Sequence, residues 1–207
     1  MPFHQPFQVI GFHSCDREVG LRIIKGEDYL KQSENDWVWL GPGVYFWEQN
    51  PQRALEYAQE CAVGQQKFAG KIKTPFVIGA IIELGNCLNL IEPGSINIVE
   101  EAHGELIKTI QNTQGKIPKN SGANRALDCA VLKYLHESNI KTGRKEYDTI
   151  RSPFHEGGEL YINANFSKRF HMEVCVRNPE CIKGYFLPLP LAEFNPYLTK
   201  DFLQLAA

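Results

Sequence analysis

Three polar residues of this sequence lie in strand-like apolar stretches. His13 ends the stretch FQVIGFH, Tyr45 lies in LGPGVYFWE, and Glu173 lies in FHMEVCV. A polar side chain in such a place must find hydrogen-bond partners or take part in chemistry. An imidazole can hold a hydroxyl group, a phenol ring offers a flat face, and a carboxylate stabilises positive charge. Taken alone, each is more often structural, as a core histidine or a tyrosine packed on Trp47 would be.

The elements that must position these residues follow from hydrophobic patterning and turn residues. The sequence predicts strands at 7–13, 44–47, 76–84, 87–91, 170–177 and 181–187. It predicts helices at 16–24, from 50 towards 64, at 95–113 and at 125–138. Polar connections are expected at 33–43, 115–122 and 139–158. Strands near both ends with helices between them predict an α+β fold with a mixed or antiparallel sheet.

Two of the helices carry clear start signals. Asp16 is expected to cap the first helix, and Asn50 followed by Pro51 is expected to begin the second. A short polar side chain before the first turn accepts a hydrogen bond from an amide of that turn, and proline suits the first helical position. Neither a GxGxxG run after a strand nor a GxxxxGK[ST] motif occurs, so the sequence supports neither a Rossmann cofactor site nor a P-loop.

Composition limits the class of protein. The 207 residues, 43% of them hydrophobic, suit one globular domain. The net charge of −2 gives no overall basic field to draw the chain to nucleic acid. Six cysteines without zinc-type spacing suggest free thiols and no metal. With no evident signal peptide and no membrane-spanning apolar run, we expect a cytoplasmic protein that makes no use of a membrane.

The order of the three residues resembles the signature motifs of the poly(ADP-ribose)-polymerase-like, or H-Y-E, ADP-ribosyltransferases. The segments that carry the resemblance are His13-Ser14, Gly43-Val44-Tyr45-Phe46 with Ala54 and Tyr57 after it, Ala80–Asn86 ending in Leu-Gly-Asn, and Glu173–Val176. Ser14 departs from the family, which usually has Gly there. The resemblance covers roughly residues 7–91 and 147–188.

The resemblance implies a fold and a domain plan. We expect the catalytic fold of that family, with split mixed and antiparallel sheets flanked by helices around an NAD cleft. Residues 1–207 would form one such domain, with a helical insertion at about 92–146 that matches no general motif of the family. NAD would be consumed as a substrate, not recycled.

The family's chemistry gives each residue a role. Breaking the nicotinamide–ribose bond puts positive charge on the sugar, which Glu173 would stabilise while bonding a ribose hydroxyl. His13 would hold a hydroxyl of the same ribose, and Tyr45 would stack on nicotinamide, with Tyr57 as a second face or simply a packed helix residue. The other residues expected to contact NAD are Phe12 and Ser14 through their backbone, Gly41 and Gly43 through close approach, and Phe46 and Ala54.

Three residues before the last strands are candidates for contact with the acceptor. They are Arg151, Phe154 and Glu156, and Glu156 lies with Glu159 in a Gly-rich loop that faces the acceptor in the family. Arg151 could contact a phosphate of NAD or of the target, or it could pair with Asp148 at the surface. Glu156 could be a solvated loop residue. His171 lies two residues before Glu173 and is therefore expected on the same strand face.

Longer stretches are similar to a group of small bacterial transferases of toxin–antitoxin and anti-phage systems. They are DWVWLGPGVYFWEQNPQRALEYA, ALDCAVLKYL, YDTIRSPFHEGGELY and CVRNPECIKGYF. This implies a mono-ADP-ribosyltransferase toxin acting on RNA or DNA, with an antitoxin protein as partner. The alternatives are a protein-targeting transferase, an NAD glycohydrolase, and a catalytically inactive module that binds NAD, ADP-ribose or a partner.

Overall fold

A computed structural model describes residues 7–65, 72–196 and 198. The elements follow in chain order: β1 (Gln8–Asp16), α1 (Arg17–Ile24), β2 (Val44–Glu48), α2 (Pro51–Ala62), β3 (Pro75–Glu83), β4 (Cys87–Asn89), α3 (Pro93–Asn112), β5 (Asn120–Ser121), β6 (Asn124–Arg125), α4 (Ala126–Lys141), β7 (Thr149–Glu159), β8 (Ser167–Val176), β9 (Ile182–Phe186) and α5 (Leu191–Phe194).

The chain divides into two compact units, each made of separated stretches. The first contains Met1–Leu30, Phe46–Glu83 and Ile182–Ala207, and the second contains Lys31–Tyr45 and Leu84–Cys181. Strand β2 therefore begins in the second unit and continues into the first. Both units combine strands with helices, which confirms the predicted α+β class.

The first unit is built on an antiparallel run of strands. β1 pairs with β3 over its whole length and with β2 at Gly11 and Phe12, while β3 also pairs with β9. α2 packs on β1 and β3 through a core that joins Phe12, Trp47, Ala54, Leu55 and Val77. α1 also lies against β3, where Gly20 leaves room for the ring of Phe76. Burial of these apolar side chains is what holds α1 and α2 on the strands.

Both expected helix caps of the first unit are confirmed. The Asp16 carboxylate accepts a hydrogen bond from the Glu18 amide at 3.1 Å. The Asn50 side chain accepts one from the Arg53 amide at 2.9 Å, and Pro51 occupies the first helical position. These side chains satisfy amides that have no partner inside the helix, so local sequence sets where both helices begin.

The second unit contains a mixed set of strands. β4 runs parallel to β7 at 87–89, and β7 and β8 form a long antiparallel hairpin in which Ser152 faces Glu173 and Phe154 faces His171. Together with the antiparallel pairing in the first unit, this agrees with the expected mixed and antiparallel strands.

The polar connection expected at 139–158 is wrong for its second half, because 149–159 form β7, an eleven-residue strand. Proline and paired glycines obscured it. Pro153 lies beyond the residues of β7 that pair with β4, so the amide it lacks is not needed there. Gly157 and Gly158 have positive φ angles of 80° and 77° and sit where the register with β8 shifts. The glycines therefore form a bulge within the hairpin and do not end it.

Helices α3 and α4 supply much of the core of the second unit. Ala102 and Leu106 of α3 pack with Val131, Leu132 and Leu135 of α4, and the cluster also includes residues of β4, β7 and β8. The segment at 92–146 is therefore helical, as expected, and forms part of the core of its unit. Within it, the connection expected at 115–122 contains β5, which pairs with β6.

A buried histidine stands out in α4. His136 is 3% exposed, and neither of its ring nitrogens has a hydrogen-bond partner. Its ring meets that of Tyr147 edge-on, with centroids 5.9 Å apart. Burial, followed by the positive charge of Arg177, lowers the pKa of His136 to about 3. The ring is therefore a neutral core group at physiological pH.

Candidate active site

The carboxylate of Glu173 is held at both of its oxygens. The Trp39 indole N–H donates to Oε2 over 2.7 Å. His171 Nε2 lies 3.1 Å from Oε1, which accepts the hydrogen bond of the ring N–H. Glu173 is only 8% exposed, so these two bonds replace most of its hydration. The charge is consequently fixed in one orientation within the second unit.

Aromatic rings surround this carboxylate. The ring of Phe154 on β7 lies 4.6 Å from that of Trp39 and 5.4 Å from that of His171, measured between centroids. Phe154 and His171 are opposite each other in the β7–β8 register, and His171 and Glu173 share one face of β8, as expected. A negative charge among apolar rings is weakly screened, so it acts strongly on a neighbouring positive charge.

Tyr45 belongs to the same unit, and its hydroxyl is committed to the preceding turn. It donates to the Gly41 carbonyl over 2.7 Å and accepts from the Leu40 amide over 3.1 Å. Burial, with smaller effects of Cys175 and the Glu173 charge, raises the pKa of Tyr45 well above its usual value. The phenol therefore stays protonated, and the flat ring is the part suited to ligand contact.

The two glycines before Tyr45 have structural reasons to be glycine. Gly41 has a φ of 75°, which a residue with a side chain rarely adopts. A Cβ at Gly43 would collide with the Cys175 sulfur and lie 2.8 Å from the Val176 carbonyl oxygen. Gly43 is thus explained by close packing on β8. Its predicted approach to NAD stays a prediction.

The residues of the first motif, His13 and Ser14, lie in the first unit. His13 is half-buried near the end of β1, with its ring 5.6 Å from that of Phe46. The Ser14 hydroxyl, itself buried, donates to the Ala54 carbonyl and so ties β1 to α2. Ser14 therefore has a structural role of its own where the family usually has Gly. Phe12 packs on Phe186, with centroids 6.0 Å apart.

Three residues expected to contact NAD have clear packing roles. Phe46 and Ala54 are fully buried. Tyr57 packs on Trp47, with centroids 5.1 Å apart, and the Arg53 guanidinium lies 5.5 Å from its ring centre. This arrangement supports the reading of Tyr57 as a packed helix residue. Their contact with NAD stays a prediction.

The candidate acceptor residues have distinct surroundings. Arg151 is buried, with its guanidinium 3.4 Å from the Asn89 side-chain oxygen, so it does not lie at the surface as the alternative of a pair with Asp148 required. The Asp148 carboxylate accepts hydrogen bonds from the Asn86 amide and the Asn178 side chain. Glu156 forms a 3.8 Å ion pair with Arg169. Phe154 contacts the rings that surround Glu173, as described above.

An apolar cavity of about 540 Å³ opens on Trp39 and the two long helices. Most of its lining is hydrophobic: Leu40, Leu90, Val99, Leu127 and Val131 contribute. A dinucleotide needs donors for its phosphates, and such a lining supplies few. We therefore do not assign this cavity to NAD.

The structure groups the predicted residues by unit. Tyr45, Arg151, Phe154 and Glu173 belong to the second unit, with Glu156 in its hairpin. Residues of the first unit are Phe12, His13, Ser14, Phe46, Ala54 and Tyr57. The approach of His13 to Glu173 stays a prediction. Trp39 was not predicted as a site residue, although its place in an aromatic-rich stretch just before Tyr45 could have indicated one.

Within the described residues, no cluster of three or more metal-binding side chains occurs. In the same residues, no helix has the length and apolar character needed to cross a membrane. All six cysteines lie among the described residues, and none of them forms a disulfide. Burial raises the pKa of the Cys15 and Cys175 thiols to about 12, so neither is a reactive thiolate at neutral pH.

Comparison with known proteins adds no relative. The chain matches no family model, and no curated protein and no solved structure is significantly similar to it. Function must therefore be inferred from the residues and their geometry.

Proposed function

We propose that the chain is a mono-ADP-ribosyltransferase of the H-Y-E type that cleaves NAD and transfers ADP-ribose to RNA or DNA. The observation that supports it best is the Glu173 carboxylate, fixed by Trp39 and His171 beside the ring of Phe154. The order of His13, Tyr45 and Glu173 along the chain gives further support. We likewise propose that the chain has the fold of the family's catalytic domain.

In the proposed reaction, the bond between ribose C1′ and the nicotinamide nitrogen breaks first. Its electron pair leaves with nicotinamide, and positive charge develops on the ribose. Glu173 stabilises that charge, an effect that is large where water is excluded. An acceptor oxygen or nitrogen then bonds to C1′ and loses its proton. The products are ADP-ribosylated acceptor, nicotinamide and a proton.

The two hydrogen bonds that Glu173 accepts leave acceptor positions for a ribose hydroxyl. A carboxylate has about four acceptor positions, and Trp39 and His171 occupy one on each oxygen. A sugar hydroxyl can therefore donate to Glu173 without displacing either partner. His13 would hold a second hydroxyl, and Tyr45 would present its ring to nicotinamide, since its hydroxyl is committed to the turn.

The test is nicotinamide release combined with mass spectrometry. Purified chain is incubated with NAD in separate reactions that contain RNA, DNA or protein. We expect release, and an ADP-ribose mass addition on a nucleic acid. Free ADP-ribose alone would identify an NAD glycohydrolase, and addition only to protein would identify the protein-targeting alternative. NAD binding without release would identify an inactive module.

Variants test the assigned residues in the same assay. Glu173→Gln keeps the shape but removes the charge, and should abolish release while far-ultraviolet circular dichroism stays unchanged. His13→Ala should also reduce release strongly. Glu137→Gln, at an exposed carboxylate of α4, is the matched control and should behave as wild type. Full turnover by Glu173→Gln would refute the mechanism.

The proposed cellular role is that of a toxin in a toxin–antitoxin or anti-phage system. Its support is the resemblance of the longer sequence stretches quoted above to small bacterial transferases. Induced expression in bacteria should arrest growth, and Glu173→Gln should relieve the arrest at equal protein level. Co-expression of a neutralising antitoxin protein should relieve it for the unmodified chain. Arrest that persists in Glu173→Gln would contradict the role.

A further inference from the structure

The hairpin of β7 and β8 ends in a group of exposed apolar side chains. Five of them are 54–87% exposed: Leu160, Tyr161, Ile162, Phe166 and Phe170. Such residues scattered singly need no explanation, whereas a group of them on one hairpin is a candidate interaction surface. None of them belongs to the residues around Glu173.

The hairpin presents two different faces. Side chains alternate along β8, so Arg169, His171 and Glu173 share the face of the candidate site, and Lys168 and Phe170 share the opposite one. Phe166, just before the strand, continues that second series. His155 lies across from Phe170, with ring centroids 4.7 Å apart. We call Phe166, Lys168, Phe170 and His155 the outer strip.

The outer strip carries no negative charge of its own. Lys168 supplies its permanent positive charge, and the His155 ring forms a hydrogen bond with the Ser167 hydroxyl over 2.8 Å. The hairpin has three carboxylates, and none belongs to the outer strip: Glu173 is part of the candidate site, and the other two are engaged elsewhere. Glu156 pairs with Arg169 on the other face, and Glu159 accepts a hydrogen bond from the Asn163 amide in the loop. Aromatic rings interleaved with a cation therefore meet solvent on this side.

The loop that joins the strands is closed by its own hydrogen bonds. The Leu160 amide donates to the Phe166 carbonyl over 2.8 Å, and the Ala164 amide donates to the Tyr161 carbonyl over 2.9 Å. The carboxylate of Glu159 holds the loop at Asn163, which has a φ of 63°. These bonds continue the pairing of the hairpin beyond the first residue of β8, so the backbone of Phe166 is held in line with the strand.

We propose that the outer strip binds single-stranded nucleic acid. Phe166 and Phe170 are four positions apart, which is roughly 13 Å along an extended strand, with Lys168 between them. An exposed ring stacks on the face of a base, and base faces are open to such rings in a single strand and covered by their neighbours in a stacked duplex. Lys168, between the rings, is placed to meet a phosphate. The inference deepens the proposed function by naming single-stranded nucleic acid as the class of acceptor. The acceptor role rests on the proposed function, whereas the binding itself does not.

The test is binding measured without catalysis. Glu173→Gln chain is titrated into fluorescein-labelled single-stranded RNA and DNA of about 20 nucleotides, and into duplexes of the same sequence, at salt from about 50 to about 200 mM. Anisotropy reports the dissociation constant. We expect single strands to bind and duplexes to bind more weakly, with affinity falling as salt rises.

Substitutions within the outer strip separate base stacking from general stickiness. Phe170→Ala should weaken single-strand binding about 5- to 150-fold, the range for one lost base stack. Phe170→Leu should behave like Phe170→Ala, because it keeps apolar area but loses the ring face, whereas Phe170→Trp should bind at least as well as wild type. Lys168→Ala should reduce the salt slope by about 1. Ile140→Ala, at an exposed apolar residue of α4, is the control and should change nothing.

Three outcomes would overturn the proposal. One is Phe170→Ala binding single strands as tightly as its parent. Another is equal affinity for duplex and single strand. The third is self-association in sedimentation that Phe170→Ala abolishes, which would assign the outer strip to a second copy. The proposed function fails separately: if NAD is not cleaved but single strands bind through Phe170, the surface stands without the transferase.

Discussion

His136→Leu tests how a buried, unpartnered imidazole affects stability. Leucine is close to histidine in size and has no polar atom to leave unsatisfied in the core. The imidazole lies in α4 beside the Tyr147 ring and within the field of Arg177. At pH 7.5, we therefore expect the variant to be at least as stable as the wild type.

The pH dependence gives the magnitude. The pKa of His136 is about 3 in the folded chain and about 6.5 in the unfolded chain. Below pH 6.5 the unfolded chain binds a proton that the folded chain does not, so stability falls as pH falls, by about 1.4 kcal/mol per unit until about pH 3. Between pH 7.5 and pH 5 the loss amounts to about 2 kcal/mol. His136→Leu should remove that loss.

Urea unfolding at pH 7.5 and pH 5, followed by tryptophan fluorescence, measures the effect. The gain of His136→Leu over wild type should be about 2 kcal/mol larger at pH 5 than at pH 7.5. His103→Leu, at an exposed histidine of α3, is the control and should leave the pH dependence unchanged. If His136→Leu keeps the full pH dependence of the wild type, this imidazole is not the group responsible and the reasoning is wrong.

Three further substitutions test single contacts. Trp39→Phe keeps a ring but loses the hydrogen bond to Glu173, and should lower kcat for nicotinamide release about 10- to 100-fold with little change in KM. Gly43→Ala should destabilise by about 1–3 kcal/mol in urea unfolding, since its methyl group overlaps β8. Asn195→Ala should cost about 2–4 kcal/mol in the same measurement, because its buried amide bonds both the N–H and the C=O of Val77.

Each of these changes has a matched comparison. Trp37→Phe should leave kcat unchanged, and equal losses in the two tryptophan variants would remove the special role of Trp39. Gly104→Ala, in open space within α3, should stabilise by about 0.5–1 kcal/mol, opposite in sign to Gly43→Ala. Asn195→Asp keeps the acceptor and loses the donor. An Asn195→Ala variant as stable as the wild type would show that the two hydrogen bonds to Val77 do not stabilise the fold.

Local signals predicted much of the fold. The caps at Asp16 and Asn50 placed two helix starts correctly, because a cap depends on residues within one turn. Strand β3 was predicted from its apolar run, and it is buried on both faces over most of its length. Strand β7 was missed because Pro153, Gly157 and Gly158 suggest a loop, and only pairing with β8 shows the ladder around them.

The candidate site was predictable in part. Strand alternation placed His171 beside Glu173, and the structure confirms it. Trp39 was not predicted, since its bond to Glu173 spans 134 positions in the sequence and no periodic pattern reports such a contact. For Arg151 the sequence left open a phosphate contact or a surface pair with Asp148. The residue is buried, and the polar appearance of 139–158 gave no sign that it enters a strand next to β4.

The interleaved order of the two units has a consequence for synthesis on the ribosome. The first unit gains β9 only after the whole second unit has been translated, since Ile182 and Phe186 pair with Ile82 and Gly79 about a hundred residues upstream. Until β9 emerges, β3 has an open apolar edge. The first unit of a growing chain would thus stay incomplete, and open to chaperones and proteases, until β9 had been synthesised.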